Sequence, residues 1–147
     1  MDKNGILIAL SESNRTAFGK QDFAEQSESQ KVFSAIWAVE SEVNNGGFSQ
    51  YFQNASCETV GFVTEALTII GAPRTADICR RAIACAFPAG LPSDPDAISA
   101  AAAQFSEQTE DALDELDQEF FAYPHDLTEL LYAYVSQHPE EFGIVTE

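Results

Sequence analysis

Lysine and arginine are scarce in this sequence, and neither follows Arg81. Seven lysines and arginines stand against 24 aspartates and glutamates, for a formal net charge of −17. A chain so charged repels polyanions, which excludes direct binding to nucleic acid or to an anionic membrane surface. No apolar run approaches the roughly 20 residues needed to cross a bilayer. The start of the chain offers only the short patch Ile6–Leu10 after one aspartate and one lysine. That is too weak for a signal peptide, so a mature cytoplasmic start is expected. Cys57, Cys79 and Cys85 are odd in number and lack close metal-type spacing, which implies reduced thiols in a reducing compartment. A glycine-rich phosphate loop is missing, and so is a D-x-D-x-D-G cation loop.

Histidine is nearly absent too. His125 follows Pro124 at an expected helix start, and His138 precedes Pro139 at an expected helix end, where the helix dipole favours a cation. No cysteine sits in the electropositive or glycine-rich setting that would lower its pKa for nucleophilic work. Cys79 and Cys85 read as small core residues on different helix faces. The sequence therefore assigns no catalytic residue, no metal ligand and no cofactor, and the chain is not expected to be an enzyme.

What remains is the composition of a folded globule. Of the 147 residues, 45% are hydrophobic and 11% aromatic, enough for one domain with its own core. Helical periodicity recurs along the chain. A modest helix is expected over residues 6–18, then a polar connection over 19–29. A third segment carries Val60, Val63, Leu67 and Ile70 on one stripe and ends at Gly71. Pro73 suits the first turn of the next helix. Residues 88–95, PAGLPSDP, form a surface loop within the bundle. Asp94 or Pro95 then opens a helix reaching Phe105. Pro124 ends a long acidic helix, and Asp126 caps a last one that stops near Pro139. With no alternating β-branched run, the fold class is all-α: a single compact bundle of about seven or eight helices.

The most distinctive stretch is Trp37 to Asn54, WAVESEVNNGGFSQYFQN. Val32, Phe33, Ile36, Trp37, Val39 and Val43 mark one helix face. Asn44, Asn45, Gly46 and Gly47 should stop that helix, since Asn and Gly enter the left-handed conformation cheaply. Phe48, Tyr51 and Phe52 then restart a short aromatic helix. Glu40, Gln50 and Asn54 lie close to that face. They either satisfy backbone groups at a tight corner or line a polar pocket beside Trp37.

This stretch is similar to the signature of a bacterial all-helical family of unknown function. The residues that carry the likeness are Trp37, Glu42 to Phe48, and Gln50 to Asn54. The likeness continues through Ala66-Leu67, Ile70 to Ala72, Phe87-Pro88, Leu116-Asp117-Glu119-Phe120, and Tyr134, His138 and Phe142. It spans about residues 30 to 142. The family's best-known member is an acidic, dimeric DNA mimic that occupies the DNA site of a transcription factor. The resemblance thus implies a helical fold and an acidic surface offered to a basic partner.

The residues themselves place that surface. Between Glu107 and Glu119 lie seven acids: Glu107, Glu110, Asp111, Asp114, Glu115, Asp117 and Glu119. At about 100° per residue, Ala112, Leu113, Leu116 and Phe120 share one arc, and the acids fill an arc of about 200° opposite. Seven charges in ~18 Å of helix approach the spacing of about 3.4 Å along one DNA strand. An ordinary solvated face would interleave both signs for i, i+4 support. Here fourteen of the acids lie beyond Arg81 with no base among them. Three functions are compatible with this. The leading one is a DNA-mimic-like protein that binds a DNA-binding protein such as a transcription factor and competes with DNA. The second is an immunity- or antitoxin-type inhibitor of a basic nuclease. The third is a small ligand-binding protein or hydrolase using the corner at 44–54. Arg74, Arg80 and Arg81, the one basic cluster, could pair with acids of this chain or of a second copy in a homodimer.

Overall fold

The computed structural model describes residues 3–12 and 23–142, and every regular element within them is helical. Helix α1 spans Lys3–Glu12. A 3-10 turn at Phe23–Glu25 leads into the long α2, Glu28–Gln53. A second 3-10 turn, Ala55–Thr59, precedes α3, Val60–Ile69. Then follow α4, Pro73–Ala86; α5, Pro95–Ala102; α6, Glu107–Phe121; α7, Leu127–Ser136; and the short α8, Pro139–Phe142. The all-α expectation holds, with eight α-helices among the described residues. The first helix ends at Glu12, and the rest of the expected span to residue 18 lies outside the described residues.

Local chemistry explains most of the boundaries. Ser27 and Gln30 form a reciprocal capping box at the start of α2. Asp94, Ser106 and Asp126 each accept a first-turn backbone N–H, opening α5, α6 and α7. Such caps stabilise a helix by roughly 1 kcal/mol each. Pro73 and Pro95 occupy first-turn positions, where a missing N–H costs nothing. The helix capped by Asp126 ends at Ser136, as expected near Pro139, but it is not the last. Pro139 does not close the helical region but opens α8, whose Phe142 packs at 5.7 Å against Phe33. The side-chain amide of Gln30, buried, donates to the Glu141 carbonyl and ties this last turn to α2.

Helix α2 is the axis of the bundle, packing against α3, α5, α6 and α7. Its Val32, Phe33, Ala35, Ile36, Val39 and Val43 are all fully buried, as are Phe48, Tyr51 and Phe52 further on. An aromatic cluster closes the far end. Phe52 meets Phe87 and Phe105 edge-on, at 5.4 and 6.3 Å. Phe105 was expected inside α5 but lies beyond its end at Ala102, where it still fills the core between Phe52 and Phe87. All three cysteines are free thiols, and Cys57 and Cys79 are buried. Burial pushes the Cys79 thiol up to about 12, so it behaves as a small apolar residue. Among the described residues, no helix is long and apolar enough to cross a membrane.

Candidate functional site

The site is assembled where α6 lies across a kink in α2. The Asn-Asn-Gly-Gly stretch was expected to end one helix and begin another. Instead, Asn44 and Asn45 remain helical, and only the glycines depart: Gly46 at φ −155°, ψ 17° and Gly47 at φ 78°, ψ 179°. The second of these lies in a region that glycine alone enters cheaply. The axis bends, and Phe48 begins a fresh first turn, the place where a helix leaves N–H donors to be satisfied from outside.

One of those donors is satisfied from another helix. The Phe48 amide donates to Asp117 Oδ1 at 2.8 Å, and Asp117 is only 8% exposed. Gly47 makes the approach feasible, because a Cβ there would collide with the Asp117 carboxylate. The carboxylate also lies at the positive end of a helix dipole. Burial nevertheless raises its pKa, opposed by the Phe48 bond and helped by the nearby Asp114. Phe120, one turn on, packs edge-to-face on Phe48 at 5.9 Å.

The other side of the kink has its own attachment. Tyr123, just past the end of α6, adopts a left-handed φ of 48°. Its hydroxyl accepts from Asn44 Nδ2 at 2.6 Å and donates to Glu40 Oε1 at 3.0 Å. Burial raises the pKa of Glu40, an effect the Tyr123 bond opposes. It also pushes the Tyr123 phenol to about 12, so the hydroxyl keeps its proton at neutral pH.

Several of the remaining polar residues of the corner are also engaged. Gln50 Nε2 reaches Glu42 Oε1 at 3.4 Å, while Glu42 Oε2 is buried without a hydrogen-bond partner. Tyr51 and Thr59 share a buried 2.6 Å hydroxyl contact, and the Asn54 backbone N–H closes onto the Gln50 carbonyl. Trp37 stacks on Phe33 at 5.7 Å with nearly parallel rings. Asn45 is exposed. A groove of about 550 Å³ lies elsewhere, between α4 and the end of α6; Arg74, Asp77, Arg81 and Glu119 line it, and none of residues 37–54 does.

The seven acids of α6 divide into three groups. Asp117 is turned inward, so it is withdrawn from the expected partner-binding set. It lies about 40° from Leu113 on the helical wheel, next to the apolar arc, and that proximity was the legible signal. Glu119, at the opposite edge of the arc, is exposed but clamped by Arg81 Nη1 and Nη2 at 2.9 and 2.7 Å. Between these edges, Glu107, Glu110, Asp111, Asp114 and Glu115 are exposed and form no ion pair among the described residues. They span about 140° of arc and ~12 Å of axis, still about one charge per 3 Å. The basic cluster is largely used within the chain: Arg80 and Arg81 both engage Asp77. Arg74 contributes its backbone N–H to His125 Nε2 at 3.1 Å. His138 bonds the Tyr134 carbonyl through Nδ1 at 2.9 Å and stacks on that ring. Tyr123, the residue that completes the site, has no marker in the sequence, because its left-handed backbone and its partners 79 and 83 residues away are tertiary facts.

Fold and site together define a small all-α protein whose α6, seated on a glycine kink, carries five outward acids that form no ion pair among the described residues. The chain belongs to the DMP19-like protein family, whose model it matches over residues 24–138. That span begins slightly before the resemblance read from the sequence and stops before Phe142. No curated protein and no solved structure matches the chain significantly.

Proposed function

We propose that this protein acts by binding, not catalysis, and that α6 presents a DNA-like row of charge to a basic DNA-binding protein, competing with DNA for it. The observation that carries this reading is the set of five outward acids that form no ion pair among the described residues. Uncompensated like charge costs self-repulsion, and a solubilising face does not need that arrangement. Membership of the DMP19-like family and the resemblance to a DNA mimic favour the same conclusion. In this role the five carboxylates stand in for phosphates, draw the partner's lysines and arginines, and speed encounter.

The test is capture from host lysate on immobilised protein at low salt, followed by elution with duplex DNA and identification of what is released. A DNA-binding protein displaced by DNA supports the reading, provided that Asp111→Lys, Asp114→Lys, Glu115→Lys abolishes capture while the helical spectrum is kept. The reading fails if the triple variant captures the same protein as well as the parent does.

A further inference from the structure

Asp117 carries a charge on the acidic helix, yet its carboxylate is spent on the Phe48 amide instead of solvent. We infer that Asp117 is a positioning residue for the acidic face: its bond across the glycine kink sets the rotation of α6 about its own axis and so selects which acids point outward. The inference rests on the binding reading above.

Apolar contact alone leaves that rotation loosely specified. Leu113, Leu116 and Phe120 seat α6 on the core, but hydrophobic burial is non-directional. A hydrogen bond is directional, weakening steeply as its angle departs from linear. Two such attachments straddle the kink. Tyr123 grips Glu40 and Asn44 before it, and Asp117 grips Phe48 after it. The helix is held in register on both sides of the bend. A roll of about 20° would turn Glu110, the outward acid nearest Leu113 on the wheel, to the angle that Asp117 now holds about two turns further along, and would redirect every other charge by the same angle. Gly47 belongs to the same device, since any Cβ would exclude the carboxylate.

Two substitutions separate geometry from charge. Asp117→Asn and Asp117→Ala remove the same negative charge, but the Asn side-chain oxygen can still accept from Phe48 and Ala cannot. The probe is the purified DNA-binding protein released by duplex DNA in the experiment above. Asp117→Asn should stay within about twofold of the parent, since no outward charge is lost. Asp117→Ala should weaken binding about tenfold or more, because several charge contacts shift together. Asp114→Asn, an exposed neighbour, calibrates the loss of one surface charge. Equal weakening by Asn and Ala at position 117 overturns the inference. If Asp117→Ala does not fold, a folded Asp117→Asn that binds worse than Asp114→Asn also overturns it. Residual dipolar couplings of the α6 amides against those of α2 provide a readout independent of any partner. A reorientation in Asp117→Ala that is absent in Asp117→Asn supports the inference even if the binding reading fails. An unchanged orientation in a folded Asp117→Ala defeats the inference while leaving the binding reading intact.

Discussion

Arg81 grips Glu119 through two parallel bonds of 2.9 and 2.7 Å and holds Asp77 through Nε at 2.9 Å. It is the last lysine or arginine of the chain, and it neutralises one edge of the α6 arc. The anionic surface has a boundary because of it.

The clamp is expected to matter more for charge layout than for stability. Its partners are largely exposed, where ion pairs contribute about 0–1 kcal/mol. Arg81→Gln should therefore shift the urea midpoint only slightly. Because it also frees Glu119 to extend the anionic row, while Arg80 still holds Asp77, it should steepen the salt dependence of binding to the displaced DNA-binding protein. An unchanged salt slope would show that the partner does not reach this edge.

Gly47 should be the least replaceable glycine. Gly47→Ala places a side chain at φ 78° and drives its Cβ into Asp117. A cost of about 2–4 kcal/mol is expected from strain plus the lost seat. Gly90 has φ 111° with open space around it, so Gly90→Ala meets strain alone and should cost less. Urea unfolding of the two variants makes the comparison. Equal midpoints would contradict the role assigned to the Asp117 contact.

Tyr123→Phe removes one hydroxyl with two partners. Asn44 then loses its acceptor and Glu40 its donor, while the ring can keep its contact with Phe120 at 5.7 Å. The expected loss is about 1–2 kcal/mol, because a half-buried carboxylate is left unbonded. Thermal unfolding should reveal it, together with faster amide exchange near residues 40–44.

The pH dependence follows from two carboxyls pulled upward and two pulled down. Burial raises Asp117 and Glu40. Each binds its proton more tightly folded than unfolded. Its contribution is fully present below the unfolded value and is lost as pH rises through the folded one. The Arg81 contacts lower Glu119 and Asp77. Those contributions are present above the unfolded values and are lost as pH falls through the folded ones. Glu119 is exposed and Asp77 only partly buried, so screening keeps them small. Calorimetric Tm should therefore rise as pH falls from neutral into the mildly acidic range, then decline. Asp117→Asn should flatten part of the rise. A Tm that fell steadily from pH 7 downward would contradict this assignment.

The all-α class and most of the element boundaries follow from local signals in the chain. Helical periodicity, proline at first turns, and the caps at Asp94, Ser106 and Asp126 are local signals, each acting within a few residues of itself. The acidic stretch and the glycine break were legible for the same reason. Tertiary structure alone decided what those features do. Asp117 and Glu119 look like their acidic neighbours in sequence, yet the fold turns one toward Phe48 and pairs the other with Arg81. Residues at the edges of an amphipathic arc take their environment from the helix packed beside them, and neither α2's kink nor α4's arginine is local to α6. The glycines likewise announced a bend. That the bend admits a carboxylate from 69 residues away became visible only when the two helices were packed.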